Sequence, residues 1–400
     1  MKIKILLLIL LIAILCGCMK QERVENPHVT TGSEILNVVE PTETRFMIPT
    51  NTKPAPPTAT DTPPTPTPLP RPNPRYMHNL VYDQAVNRFI LFGGTDSVEC
   101  GYQSDTWIYD LNTGTWLEKT PSTSPPEGQG TMAYDIESGL SVLFIGVLAG
   151  KYEGAGNMGT ESGSTCIPHE NPSNLIPGGE TWTYDDQSNE WTKMDTIDGP
   201  FGLQGTKMVY DTAADRIILF GGWYVGDGSK KGASSETWVY DLNTNIWKQM
   251  SSEGSPPGRM DHAMAYDAES DRVIIWGGGG PKPIDVGDIW AYDLNTDTWE
   301  ELRSDDAPSS KRYAAMVYDV LNDRTLLYFN KEFWSYNYND NQWTLLSKSP
   351  APLSLNWHTL AYDTTKDLIL QFGGGPNLHQ WSNHFWVYDP KVDEWTDETQ

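Results

Sequence analysis

The stretch Arg88-Phe89-Ile90-Leu91-Phe92-Gly93-Gly94, followed by Asp105-Thr106-Trp107-Ile108-Tyr109-Asp110 and then Trp116, decides the fold. It reads as a continuously apolar strand closed by a glycine pair, a loop, a strand ending in Tyr-Asp, a tight turn, and a last strand carrying a tryptophan. The Tyr-Asp strand is rewritten around Trp182, Trp238, Trp290, Trp334 and Trp386, each trailed by a second tryptophan at Trp191, Trp247, Trp299, Trp343 and Trp395. Apolar runs ending near Gly146, Gly222, Gly278, Asn330 and Gly374 rewrite the first strand. Such self-similarity, at spacings of about 40 to 75 residues, has to be read as a repeat architecture before any other fold.

Each repeat opens with an inner strand ending in Tyr-Asp, at Tyr82-Asp83, Tyr134-Asp135, Tyr210-Asp211, Tyr266-Asp267, Tyr318-Asp319 and Tyr362-Asp363. Continuous apolar runs belong to strands buried on both faces, so each sheet must be stacked between others. The composition agrees: 16 Trp and 19 Tyr supply broad flat core side chains, and 35 Gly with 29 Pro supply turns. A net charge of -25 excludes nucleic acid as a partner, because phosphate binding needs a basic face. No cysteine or histidine grouping has zinc spacing, and no metal or cofactor is expected.

Taken together, the glycine pair, the Tyr-Asp and the spaced tryptophans resemble kelch repeats, over Arg75 to Gln400. The resemblance implies an all-β, six-bladed β-propeller of four-stranded antiparallel blades, at about 75–126, 127–200, 201–257, 258–308, 309–352 and 353–400. Blade 2 keeps only Gly146 and blade 5 has Phe329-Asn330 in place of the pair, so their strand ends must turn differently. Neither terminus can complete the other's blade, so the ring is expected to close by packing of blade 1 on blade 6.

Residues 1–17 read as an export signal, with Lys2 and Lys4 before the apolar run Ile5 to Leu15. Leu15-Cys16-Gly17-Cys18 resembles a bacterial lipobox, which implies cleavage before Cys18 and a lipid on its sulfur. Residues 18–74 are rich in Pro and Thr and read as an extended tether. The expectation is an exported, monomeric domain whose only membrane contact is a lipid anchor in the cell membrane or an outer membrane.

On the kelch reading, the loops after each glycine pair share one face. Cys100 and Cys166 lie in neighbouring loops, where an exported chain would join them as a disulfide; two free thiols is the alternative. The long insertion holding Tyr152, Glu161 and His169, with Trp223, Tyr224, Trp381 and His384 on related loops, offers aromatics beside polar groups, suited to a protein or glycan ligand. Arg75, Arg259 and Arg312 recur just before inner strands, where they either meet an anionic ligand group at the channel mouth or pair with a carboxylate of the next blade. His78, His262 and His358 share the strand face of the tyrosines and fit packing between blades better than metal ligation.

Enzymes exist on this fold. Galactose oxidase-like copper sites need a cysteine-linked tyrosine, which the loop cysteines do not supply, and the resemblance to sialic acid mutarotases marks no catalytic residue by spacing. Two readings remain open: a tethered recognition module for protein or glycan, and an exported sugar-modifying enzyme working at the channel mouth.

Overall fold

The computed structural model describes residues 69–96, 101–149, 175–226, 230–251, 254–280, 288–304, 306–309, 312–346, 352, 356–376 and 380–399, all within one unit, Pro66–Gln400. Among these residues there is no helix. Among the described residues strands form seven antiparallel sheets: six follow one another in chain order, which we call blades 1 to 6, and the seventh is a small three-stranded ribbon. Their inner strands are Asn79–Asp83, Gly128–Asp135, Lys207–Asp211, Ala263–Asp267, Ala315–Asp319 and Thr359–Asp363. Their outer strands are Thr115–Lys119, Glu190–Met194, Ile246–Gln249, Thr298–Leu302, Gln342–Leu345 and Glu394–Asp397. Blade 1 gains a fifth strand, Arg75–Tyr76, paired to Arg88–Asp96.

Every inner strand neighbours the inner strands of the two adjacent blades, and the Asn79–Asp83 strand meets Thr359–Asp363, so the ring is closed. The apolar second strands explain why. Ile90 packs into the layer shared with blade 2, while Leu91, one residue on, packs into the layer shared with blade 6. The core is accordingly six layers, one between each pair of neighbours. Blades 1 and 6 pack together as the repeat pattern requires, and hydrogen bonds reinforce the seam: Arg75 N–H donates to the Ser382 carbonyl at 3.2 Å and Gly374 N–H to that of Arg75 at 2.9 Å.

The repeated residues have separate tasks. Gly94 has φ 95° and Gly374 has φ 79°, and a Cβ on either would stand 2.8 or 2.9 Å from the Cβ of His78 or His358. The glycine pair thus lets the second strand leave its blade where the next residue type would strike the inner strand. On the opposite face, the turn residue five after each tyrosine adopts a left-handed conformation; it is Gly114 or Gly139 after Tyr109 or Tyr134, and elsewhere an Asn or Asp such as Asn245 and Asp297, whose side chain accepts the Tyr240 or Tyr292 hydroxyl proton at 2.8 and 2.9 Å. Asn and Asp tolerate that conformation best among residues with a Cβ.

The two irregular blades turn as their sequences demand. In blade 2 the second strand runs on to Ala149 through a bulge at Gly146. In blade 5 Phe329 pairs with Glu332 around a two-residue turn, Asn330-Lys331, both at positive φ.

The outer tryptophans tie blade to blade. Trp191, Trp247 and Trp299 donate Nε1–H to Thr106, Thr181 and Thr237 of the preceding blade at 2.9 to 3.0 Å. In blades 4 and 5 the position of that threonine holds Ile289 and Phe333. Neither side chain can accept a proton, and the Nε1 atoms of Trp343 and Trp395 are buried without a partner among the described residues.

Candidate functional site

The mouth of the channel lies at the end where the inner strands begin. One residue from each blade rings it: Met77, Gln129, Gly205, Asp261, Tyr313 and Trp357, all lining one cavity of about 50 Å3. Main-chain bonds link this collar around the axis. Asp261 N–H donates to the Gly205 carbonyl at 2.9 Å, Tyr313 N–H to that of Asp261 at 3.1 Å, and Met77 N–H to that of Trp357 at 3.3 Å. The geometry needs positive φ, found at Met77, Gly205, Asp261, Tyr313 and Trp357. For bulky residues such as Tyr313 and Trp357 this conformation is strained, and strain of that kind gathers at functional sites.

The collar is two-sided. Toward blades 5, 6 and 1 it is aromatic: Tyr313 lies 3.9 Å from Trp357, Trp357 6.2 Å from Trp381, and Trp381 stacks on Tyr76 at 3.8 Å and 14°. Toward blades 3 and 4 it is charged. Lys207, the first residue of its inner strand, lines the cavity together with Gly205 and Asp261. Arg312 lies flat against Gly279, where a Cβ would come within 1.7 Å of its Nε, and its charge reaches Asp261. Among the described residues none of these three side chains forms an ion pair within 4.0 Å. Burial raises the Asp261 carboxyl to about 6, against the attraction of Lys207 and Arg312. Burial lowers the Lys207 ammonium, which Asp261 opposes.

The three histidines pack between blades. His78, His262 and His358 each set an edge against an aromatic ring of the preceding blade, Phe372, Phe220 and Tyr328, at 5.2 to 5.5 Å. His78 also meets Thr359 Oγ1 at 2.7 Å. Burial, then the charge of Arg75, holds its imidazole well below the ordinary histidine range.

Of the sequence candidates, Trp381 packs behind the mouth on Tyr76 and Trp357, and Arg312 stands beside it against Gly279; neither lines the cavity itself. Arg75 and Arg259 are buried, 1 % and 0 % exposed. Arg75 grips both oxygens of Asp105 at 2.7 and 2.8 Å and donates to the carbonyls of Gly93 and Asn73. Arg259 repeats this on Asp288, Gly277 and Pro257. A buried guanidinium already holding four acceptors within its own blade is not placed to receive a ligand. Trp223 and Tyr224 form part of a small three-stranded ribbon with Leu203–Gln204 and Gly232–Ala233, and Lys230 sits 5.4 Å over the Tyr224 ring. His384 meets Asp397 of the outermost strand at 3.3 Å, away from the axis. Cys18, Cys100, Tyr152, Glu161, Cys166 and His169 lie outside the described residues. Lys207, Asp261, Tyr313 and Trp357 are site residues that sequence reasoning missed.

The other mouth is wider, about 290 Å3, and is lined by Leu80, Met132, Met208, Met264, Met316 and Leu360 with a ring of tyrosines.

The KLHDC2/KLHL20/DRC7 Kelch-repeats domain matches residues 169–329, from the insertion of blade 2 to the second strand of blade 5, and supports a kelch-repeat protein with the propeller described above. Acyl-CoA-binding domain-containing proteins 5 and 4 of Arabidopsis thaliana are each 25% identical, over 252 and 255 residues, which is 59% of this chain and 33% and 32% of theirs. Mei4-dependent protein 6 of Schizosaccharomyces pombe is 29% identical over 108 residues, 25% of this chain and 15% of its own. The chain thus spans no more than a third of these relatives, and the activities in their names belong to them. A kelch-repeat domain is, in general, a protein-interaction module.

Proposed function

We propose that this chain is an exported, lipid-tethered recognition module that binds a segment of a partner protein across the collar face. The observation that carries the reading is the charged half of the mouth: Lys207 and Asp261 line one recess, Arg312 acts on Asp261 from beside it, and among the described residues none of the three has an ion-pair partner. Placing unpaired charge in a protein costs several kcal/mol, and an aromatic wall beside such charges is a surface built to receive something. The cavity, about 50 Å3, is far below the roughly 300 to 1,000 Å3 of sites that enclose a small molecule. It takes an end group or one side chain, with the rest of the ligand lying on Trp357, Trp381 and Tyr313. That size favours recognition over chemistry on a sugar ring in the channel.

The test is to probe peptide and glycan arrays with the full chain. Peptide binders should be lost in Lys207→Met and Trp381→Ala and retained in Lys193→Met, whose side chain is half exposed on blade 2. Binders that survive both mouth variants, or that are glycans alone, would refute the reading. Metabolic labelling with palmitate, present in the wild type and absent in Cys18→Ala, tests the tether.

A further inference from the structure

We propose that the collar mouth is an anion seat operated by a proton: a carboxylate-sized anionic group of the ligand rests on Lys207, within the field of Arg312, and enters when Asp261 takes up a proton. This deepens the reading above and rests on the mouth being the ligand site.

The charges favour an anion. Lys207 and Asp261 line the recess and Arg312 acts on Asp261 from beside it, so two cations stand against one carboxylate, and Lys207 Nζ makes no hydrogen bond or ion pair among the described residues. With Asp261 ionised, the seat is already balanced by a fixed carboxylate, and a second one would meet like charge at close range in a partly desolvated space. With Asp261 neutral, both cations are uncompensated, and the Asp261 hydroxyl becomes a hydrogen-bond donor. Gly205 makes room for this arrangement. A Cβ there would stand 2.8 Å from Asp261 Oδ1, so any larger residue would press on the carboxyl.

Other titratable groups around the recess are His78 and His358, which line it, and Tyr313 of the collar; His262 lies on the strand that follows Asp261, packed against Phe220. His78 and His262 are held well below 6.5 by burial, so neither gains charge near the pH at which Asp261, raised to about 6, takes its proton. The direction is then fixed: anion affinity rises as pH falls through about 6.

The experiment is a ligand-observed NMR titration of the full chain with phenylacetate and with its uncharged amide, phenylacetamide, at about pH 5 and about pH 7.5. Phenylacetate should bind roughly tenfold more tightly at the lower pH, and the amide should show weaker binding that is unchanged by pH. Asp261→Asn should bind phenylacetate at the higher pH as the wild type does at the lower. Lys207→Met should lose the preference for the acid. A pH dependence that persists in Asp261→Asn, or its absence from the wild type, overturns the proposal. Equal binding of acid and amide overturns the anion seat while leaving the mouth as a recognition site; silence from both also overturns it, and the array experiment then decides the recognition reading by itself.

Discussion

Lys207 and Asp261 line one recess at the channel mouth and do not touch. The cost of that separation can be measured. A carboxyl raised to about 6 in the folded chain binds its proton more tightly than in the unfolded chain, where the value is about 3.9. The stability it contributes is therefore complete below about pH 4 and is lost as pH rises through about 6. Asp261→Asn removes the ionisation, and Asn accepts the left-handed φ of 55° at this position. The variant should gain on the order of 2 kcal/mol over wild type at about pH 7.5, and nothing at about pH 4. Urea unfolding at the two pH values checks this; a gain equal at both would show that Asp261 is not held at a cost.

His262 works in the opposite direction. It is fully buried, its two ring nitrogens have no hydrogen-bond partner among the described residues, and burial followed by Arg259 lowers its pKa well below 6.5. The unfolded chain takes up a proton here near 6.5, so the stabilisation is complete above that pH and is lost as pH falls, by about 1.4 kcal/mol for each further pH unit until the folded imidazole also titrates. His262→Leu removes that dependence. Its unfolding free energy should fall about 1 to 2 kcal/mol less than that of wild type between about pH 7 and pH 5. Parallel curves for the two proteins would rule this out.

Arg75 and Arg259 are clamps within their own blades, and their substitution should read as stability rather than binding. Arg75 joins Asp105, Gly93 and Asn73, and the same Asp105 accepts Trp107 Nε1–H at 2.7 Å. A lysine cannot present the planar fork that this arrangement uses. Arg75→Met, which leaves Asp105 without its buried partner, should cost about 3 to 5 kcal/mol, and Arg75→Lys a good part of that. Thermal unfolding checks the ranking; an Arg75→Lys variant as stable as wild type would contradict the fork.

The blades were legible because their signals are local. A glycine pair, a Tyr-Asp and a tryptophan lie within one unit, and each repeats the same turn or packing contact. The mouth was not, because it assembles one residue from each of six blades, the residue five before the tyrosine of each inner strand. Met77, Gln129, Gly205, Asp261, Tyr313 and Trp357 share nothing as residue types, and it is that variation in an otherwise repeating register that marks them. Arg75 and Arg259 looked like ligand groups because their carboxylates stand about 30 residues on. The clue was present in both blades: Asp105 and Asp288 each precede a tryptophan by two residues.

The threonine column under the outer tryptophans offers a test that carries its own control. Thr237 is fully buried and accepts Trp299 Nε1–H at 3.0 Å. Valine has nearly its shape and no acceptor, so Thr237→Val strands a buried donor at a cost of about 1 to 3 kcal/mol, reduced by the extra methyl that is buried. One blade further on, Ile289 holds the same position and Trp343 Nε1 already has no partner among the described residues. There Ile289→Val removes one methylene and should cost about 1 kcal/mol. Measured by urea unfolding under one set of conditions, the threonine substitution should be the more damaging although it deletes no carbon. A Thr237→Val variant as stable as wild type would mean that these indole hydrogen bonds do not hold the blades together and that the aromatic layers alone do so.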